Sequence, residues 1–335
     1  MMKRFFAILL ACLMVFSLVA CAGGEKKAED SAKKVLNLKY NSVKSSTDST
    51  YLDWADFYSG LEQATDGAIK VEMYASEALG PSADILEQAA KGEPVIADTD
   101  LAYLANYVPD FAIGNAPYVI KTPEDIEKFW QSDYCKEMEK ILEEQYGLHI
   151  INITYFGTRN LIANTECHSR ADVGKLKIRC AATPMWNEVC RVLGGNAVNT
   201  AWSETYSACS QGVADGAESP VSLLYSSKLY EPCPYIMRTE HLVAVTCEVM
   251  SAKVYNDMDP ELRAKFDEYA RGWCDEAIKR VNAAEKDFEA KLVAEGVTFV
   301  DIDKTEFIEA AKDTPKNFPD WTPGMYDKIV EFLAN

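Results

Sequence analysis

The chain has 335 residues, of which 48% are hydrophobic and 26% charged, and its formal net charge is −18 at pH 7. Acidic residues outnumber basic ones by 52 to 34 and no basic stripe interrupts them, which argues against a nucleic-acid-binding protein. A chain of this length and hydrophobic content can bury a large core, and the length favours two domains.

The N-terminus has the order of a secretory signal. Lys3 and Arg4 precede an uncharged run over residues 5–20, which is shorter than the roughly 20 residues of a membrane-spanning helix. The run ends in LVAC at residues 18–21, which is similar to a bacterial lipobox. We therefore predict a signal peptide over residues 1–20 and lipidation of Cys21. An uncleaved anchor and an unlipidated signal peptide are the alternatives.

Residues 22–34 contain neither aromatic nor large aliphatic side chains. Such a composition does not form a core, so we predict that residues 21–34 are a lipidated cysteine followed by a flexible tether. The tether would hold a folded body away from the membrane.

The folded body then alternates strand and helix signals. Strands are predicted at residues 35–40 and 69–74, and helices at residues 51–65 and 82–91, followed by an apolar run at residues 94–97. This order predicts an α/β fold with a largely parallel sheet and helices on both faces. In such sheets ligands bind beyond the carboxyl ends of the strands.

A second set of strand signals follows, at residues 149–155, 176–180, 195–200 and 241–249. A long helical pattern then runs over residues 260–295. Asp259 is its predicted N-cap, Pro260 its first residue, and Gly296 follows its end. A helix of that length would span roughly 50 Å and could brace two domains. The alternative is two helices with a break near Gly272.

Eight cysteines remain once Cys12 and Cys21 are set aside, and no CxxC spacing occurs among them. A zinc or redox motif is therefore not indicated. Disulfides are permitted in an exported chain, but their connectivity cannot be read from the sequence. We favour the alternative that most of these cysteines are buried free thiols.

Four motifs between residues 155 and 240 carry a family resemblance. They are FGTRN at 156–160, DVGKLKIR at 172–179, LGGNAV at 193–198 followed by WSETYSA at 202–208, and QGVADGAESP at 211–220. In this order and spacing they resemble the solute-binding subunits of TRAP (tripartite ATP-independent periplasmic) transporters. The resemblance extends over essentially the whole mature chain.

The resemblance implies a two-lobe periplasmic-binding-protein-like fold with an interdomain ligand cleft and a long C-terminal helix bracing both lobes. We expect lobe I at residues 36–156 and 245–284, and lobe II at residues 157–244 and 285–335. The resemblance also implies that the lobes close around a small organic acid and that the closed protein docks on a small and a large membrane subunit. No cofactor and no metal is implied.

Three residues of the predicted lobe II are implied to bind the ligand. Arg179 ends a strand, and a guanidinium there offers paired donors that match the two oxygens of a carboxylate. Arg159 has a family counterpart that also reaches the ligand, and a hinge salt bridge is its alternative role. Trp202 matches a position where an aromatic ring packs on the ligand, whereas a place in the core is its alternative.

The remaining ligand-binding candidates are less specific. Ser219 stands where many family members have Asn, so it leaves room for a bulkier ligand or a bridging water. On lobe I the candidates follow two strands, and they are Asn41, Ser42 and Thr99. Asp98 and Asp100 flank the last of these, and we interpret them as solvated loop acids rather than as ligands for hydroxyl or ammonium groups.

Two other classes of solute-recognising protein share these features: an ABC-type solute-binding lipoprotein and a ligand-sensing surface receptor. Motif order and the single long helix favour the TRAP interpretation over both. An enzyme is not indicated, because the chain has no GxSxG elbow and no HExxH motif. The three histidines, His149, His168 and His241, have no evident nucleophile at motif spacing.

Overall fold

The computed structural model describes residues 35–335, apart from the side chains of residues 274 and 275. The predicted signal peptide, Cys21 and the tether lie outside the described residues. Among residues 35–335, none of the helices combines the length and the apolar character that a membrane crossing requires.

The first third of the described chain forms the strand–helix units that the sequence predicts, and β2 has the predicted bounds. The helix predicted at residue 51 begins two residues earlier, because the Asp48 carboxylate caps it by accepting from the backbone N–H groups of Thr50 and Tyr51. The elements are β1 Leu36–Asn41, α1 Ser49–Ala64, β2 Ile69–Tyr74, α2 Ser82–Ala90, β3 Val95–Thr99, α3 Leu101–Leu104, α4 Pro123–Gln131 and α5 Asp133–Tyr146.

The remaining elements include two long strands and one long helix. They are β4 Leu148–Ala163, α6 Arg170–Val173, β5 Lys177–Cys180, α7 Pro184–Leu193, β6 Asn196–Asn199, α8 Thr205–Ser210, β7 Gly216–Pro220, α9 Val221–Ser226, β8 Tyr235–Ser251, α10 Ala252–Asn256, α11 Pro260–Ala294, β9 Thr298–Val300, α12 Thr305–Ala311 and α13 Met325–Ala334. Short 3₁₀ helices lie at Pro109–Asn115, Trp202–Glu204 and Thr314–Asn317.

The described strands form one mixed sheet in the order β2-β1-β3-β8-β4-β7-β5-β6, with β9 beside β8. Pairs β1–β2, β1–β3, β5–β6, β5–β7 and β8–β9 are parallel, whereas β3–β8, β4–β8 and β4–β7 are antiparallel. The expectation of a largely parallel sheet is therefore wrong at its centre. Neither β7 nor β9 was predicted as a strand, and β4 and β8 are longer than their predicted cores.

Strands β4 and β8 run through both lobes, and this explains their length. The first half of β4 pairs with the end of β8 beside β3, whereas its second half pairs with the start of β8 and with β7. The β4–β8 register shifts three times, once between Tyr155 and Gly157. Gly157 has φ of 129°, and a Cβ there would lie 2.7 Å from Pro220, so this irregularity requires glycine. The predicted lobe boundaries at residues 156/157 and 244/245 remain a prediction.

Helix α11 is continuous over 35 residues, so no break occurs at Gly272. Asp259 caps it by accepting from the Glu261 N–H, and Gly296 follows it with φ of 91°. It packs on β4, α1 and α9. In the last third of the helix, the Glu285 carboxylate accepts from the Thr158 N–H (2.6 Å) and the Tyr155 hydroxyl (2.8 Å). The two-lobe α/β fold with a bracing helix is thus confirmed.

Candidate functional site

A cleft lies where β3, β5 and the centres of β4 and β8 meet. Its wall combines charged side chains with aromatic rings, a composition typical of sites for small polar ligands. The charged residues of the wall are Lys44, Glu77, Asp98, Asp100, Arg159, Arg179 and Glu218. The aromatic ones are Tyr103, Phe156, Trp186 and Trp202.

Arg179 is the cation of this wall that has no carboxylate partner. It lies on β5 with 5% of its surface exposed, and its Nε and Nη2 groups donate to the Thr200 carbonyl at 3.1 and 2.6 Å. In the described part of the chain, no carboxylate oxygen forms an ion pair with it. Burial lowers the pKa of Arg179, but an arginine remains protonated at neutral pH. Its charge is therefore available to an anion.

The ring of Trp202 lies beside this guanidinium, with Arg179 Cζ 5.1 Å from the ring centroid. The 3₁₀ helix at Trp202–Glu204 positions the ring, and the indole N–H donates to the Ser227 hydroxyl at 3.1 Å. A cation over an aromatic face is stabilised electrostatically. The same ring also excludes water from one side of the guanidinium, which strengthens any charge-assisted hydrogen bond formed there.

Arg159 has its own acid. Its guanidinium donates to both carboxylate oxygens of Glu218, with Nη2 2.8 Å from Oε1, and stacks on Trp186 at 4.4 Å. His241 lies 3.1 Å from the same carboxylate. Burial raises the pKa of Glu218, but the charge of Arg159 and the hydrogen bonds from His241 and Arg159 outweigh it and lower the pKa to about 2. Glu218 is thus ionised. In this structure Arg159 forms a salt bridge with it, which is the kind of role that the sequence analysis gave as the alternative to ligand binding.

A second buried ion pair closes the opposite wall. Lys44 Nζ lies 2.6 Å from Asp98 Oδ2 and 4.4 Å from the centroid of the Phe156 ring. Asp98 also accepts from the hydroxyls of Ser42 and Thr246. The interpretation of Asp98 as a solvated loop acid is wrong, because the strand β3 continues to Thr99 and carries Asp98 into the interior, where 3% of it is exposed.

Asp100 caps α3 and reaches across the cleft. Its Oδ1 accepts from the N–H groups of Ala102 and Tyr103, and its Oδ2 accepts from the indole N–H of Trp186 at 3.2 Å. Burial raises its pKa to about 6, against the charge of Arg159 and these hydrogen bonds, which lower it. A carboxyl group whose two oxygens already accept from a helix N-terminus and an indole has little capacity left to bind a cation.

Two further hydrogen bonds join the predicted lobes near the cleft. Glu77 accepts from the backbone N–H of Ser203 at 3.1 Å, and Asp48 accepts from the hydroxyl of Ser226 at 3.0 Å. Both acceptors belong to predicted lobe I and both donors to predicted lobe II. Together with the Asp100–Trp186 bond they hold the cleft in a closed arrangement.

The structure brings four of the seven predicted ligand-binding residues into the cleft wall: Arg179, Arg159, Trp202 and Thr99. Ser219 is fully buried on β7, and no described atom is a hydrogen-bond partner of its hydroxyl. The Asn41 side chain donates to the Gly80 carbonyl and accepts from the Leu79 N–H. Ser42 donates to Asp98 behind the wall. These last three lie outside the lining.

Sequence reasoning missed Lys44, Trp186 and Glu218 as wall residues. Lys44 follows a strand and is surrounded by serines and threonines, so it reads as a surface residue in the sequence. Trp186 lies in an amphipathic helix, where a core position is the usual interpretation. Glu218 was part of a recognised motif, but only its pairing with Arg159 across β4 and β7 reveals its role.

A family profile described as bacterial extracellular solute-binding protein, family 7 (DctP) matches residues 40–319. The chain belongs to this family. Among its relatives is the solute-binding protein RD1_1052 of Roseobacter denitrificans, which is 27% identical over 285 residues, 83% of this chain and 85% of the relative.

Solved structures of TRAP periplasmic solute-binding proteins have the same fold. One from Actinobacillus succinogenes, with bound L-galactonate, superposes with a TM-score of 0.86 at 25% identity, over 89% of this chain and 99% of that one. One from Fusobacterium nucleatum, with bound sn-glycerol-3-phosphate, gives 0.85 at 26% identity, over 89% and 97%. This DctP-family chain is an extracytoplasmic solute-binding subunit of a TRAP transporter, as the motifs predicted. The ABC-type and receptor interpretations are correspondingly disfavoured.

Proposed function

We propose that this protein captures a small organic anion carrying one carboxylate, and that Arg179 binds that carboxylate. The proposal is carried by one observation: of the cations in the wall, Arg159 is paired with Glu218 and Lys44 with Asp98, whereas Arg179 has only a carbonyl. One buried cation that has no carboxylate partner matches one ligand carboxylate. A second carboxylate would have to displace one of the two internal pairs, which is costly.

The rest of the ligand would contact uncharged groups and Asp100. Trp202 provides an apolar face beside the anchor, and Thr99 offers a hydroxyl that has no partner among the described residues. The relatives with bound L-galactonate and sn-glycerol-3-phosphate hold small anions that carry hydroxyl groups. Hydroxylated acids such as sugar acids therefore fit this cleft better than dicarboxylates.

Capture would proceed by closure of the two lobes. The hydrogen bonds from Trp186, Ser203 and Ser226 to acids of the other predicted lobe would be broken if the lobes moved apart. A ligand that touches both walls has a higher affinity for that state and shifts the population towards it. The closed protein would then deliver the ligand to the small and large membrane subunits of the transporter. We propose no catalytic role.

We further propose that Cys21 is lipidated and that residues 22–34 tether the protein to the membrane. The support is the LVAC motif after the uncharged run. Mass spectrometry of the native protein tests this: we expect a mature N-terminus at a diacylated Cys21. An unmodified terminus, or one at another residue, contradicts the proposal.

The ligand class can be tested by a thermal-shift screen of the purified protein. We expect several hydroxylated monocarboxylates to stabilise it, since micromolar affinity at millimolar ligand contributes about 4 kcal/mol. The matched controls are the corresponding amides, which keep the shape but lack the charge. Equal stabilisation by acid and amide, or stabilisation only by dicarboxylates, contradicts the proposed ligand class.

A further inference from the structure

Two pairs of cysteines that are distant in sequence lie side by side in the second lobe. The thiol of Cys180 lies next to that of Cys190, and the thiol of Cys209 lies next to that of Cys233. All four are buried. Every cysteine for which the structure describes the side chain is a free thiol.

The geometry around the first pair explains the contact. Cys180 ends β5, and Cys190 lies on the face of α7 that packs over this strand. The Cys190 thiol donates to the Ile178 carbonyl at 3.7 Å, and the Cys180 thiol donates to the Asn187 side chain, one helical turn before Cys190, at 3.6 Å. The helix is thus held over the strand at both positions, and each thiol contacts the element that carries the other.

The second pair is brought together by the turn after α8. The N–H groups of Val213 and Ala214 donate to the Ala208 carbonyl, next to Cys209. The Cys233 thiol donates to the Asp215 carbonyl at 3.7 Å, in the same turn. Cys233 therefore approaches Cys209 from the segment that precedes β8.

The other described cysteines have no such partner. Cys135, Cys167 and Cys247 are buried, and burial raises the pKa of each thiol, which makes them unreactive. In each contact pair, by contrast, the neighbouring thiol lowers the pKa of one member, Cys180 or Cys209. A thiol with a lowered pKa is the better nucleophile in thiol–disulfide exchange.

We propose that Cys180–Cys190 and Cys209–Cys233 are the disulfide bonds of the exported protein. The oxidant is a disulfide of an extracytoplasmic thiol–disulfide oxidoreductase. A thiolate of the pair attacks that disulfide, its partner thiol resolves the mixed disulfide, and the oxidoreductase leaves as a dithiol with the two electrons and two protons. In the structure these four cysteines are buried free thiols, as the sequence-based preference had it, and the proposed oxidation departs from that preference at these four positions.

The first bond has a consequence for the cleft. Cys180 directly follows Arg179, and α7 carries Trp186, which stacks on Arg159. A Cys180–Cys190 bond would fix the end of β5 to α7, so it would hold Arg179 and Trp186 in a constant position relative to each other. The inference concerns covalent structure and does not depend on the proposed ligand.

The connectivity can be mapped on the full-length chain exported to an oxidising bacterial periplasm. The denatured protein is blocked with N-ethylmaleimide and cleaved with trypsin and a glutamate-specific protease. Trypsin alone leaves both cysteines of the first pair in residues 180–191, but cleavage after Glu188 separates them. We expect residues 180–188 and 189–191 to remain joined until reduction, and likewise residues 205–218 and 229–238.

The expected result includes maleimide on Cys135, Cys167 and Cys247. Maleimide on all four pair members, or linkage of any of them to another cysteine, overturns the proposal. Reduction should also lower the melting temperature of the exported protein by several degrees, because cross-links restrict the unfolded chain. The Cys180→Ser/Cys190→Ser variant should lose part of that shift, whereas Cys167→Ser should retain all of it. A shift equal to wild type in the double variant contradicts the first bond.

Discussion

Arg159 holds Glu218 through both carboxylate oxygens, and this internal pair leaves Arg179 as the cation that faces the cleft without an acid. The two arginines therefore have different roles, although both come from motifs of the same resemblance. Glu218 and His241 fix the guanidinium of Arg159 in the wall. The expected consequences of substitution differ accordingly.

Arg179→Ala should weaken ligand binding by a hundredfold or more. Loss of one partner of a buried charge pair costs about 3–5 kcal/mol, and each 1.4 kcal/mol is tenfold in affinity. Arg179→Lys should recover only part, because an ammonium lacks the planar fork. The measurement is calorimetry with an acid identified in the thermal-shift screen.

Lys175→Ala is the control, since this exposed side chain of the same motif pairs with Asp172 outside the cleft. Its affinity should equal that of wild type. If a folded Arg179→Ala protein binds within about threefold of wild type, Arg179 is not the carboxylate anchor.

Lys44→Met should destabilise the protein by about 3–5 kcal/mol, because it leaves the Asp98 carboxylate buried without its cation. The double variant Lys44→Met/Asp98→Asn should recover much of this loss, since the unpaired charge is gone. Urea denaturation without ligand measures both. Lys70→Met is the matched control, because the Lys70–Glu62 pair is exposed and contributes at most about 1 kcal/mol. Additive losses in the double variant would contradict a coupled buried pair.

Stability should fall in acid through Glu218 and His241. The folded-state pKa of Glu218 is lowered to about 2 from an unfolded value of about 4.3, so its contribution of about 3 kcal/mol is present above pH 4.3 and is lost as pH falls towards 2. Burial lowers the pKa of His241, so the unfolded state takes up a proton first and stability also decreases below about pH 6.5.

Both effects have the same sign, and urea denaturation at pH 7, 5 and 3 measures their sum. The Glu218→Gln variant should be less stable at pH 7 and should lose less between pH 5 and 3. A variant with the same pH dependence as wild type would show that Glu218 is not the titrating group.

Trp186→Phe should weaken ligand binding by about threefold to tenfold, because it removes the N–H donor to Asp100 in the closed cleft while an aromatic ring stays over Arg159. Trp130→Phe is the matched control, since it removes an indole bond to Glu139 away from the cleft. Calorimetry should show unchanged affinity for the control. Equal losses in the two variants would indicate a general effect on stability instead of a contact specific to closure.

Several elements could be predicted from the sequence because their signals are local. Residue periodicity predicted β1, α1, β2 and α2 to within two or three residues, and Asp259 and Pro260 predicted the start of α11. Motif spacing identified the family, which implied the two-lobe fold before any contact was known. It also selected Arg179, Arg159 and Trp202, which line the cleft, and Ser219, which does not. Thr99 lines the cleft as well, but its place after a predicted strand selected it.

The tertiary structure alone decided which charged and sulfur-bearing groups are partners. Lys44 and Asp98 are 54 residues apart in the sequence, and Arg159 and Glu218 are 59 residues apart. Nothing in the sequence around these residues distinguishes a buried ion pair from two solvated charges. The connectivity of Cys180, Cys190, Cys209 and Cys233 is hidden for the same reason. Local preferences set the elements, but the length of β4 and β8 and their antiparallel pairing determine which side chains meet, because electrostatic and covalent partners are chosen by distance in space.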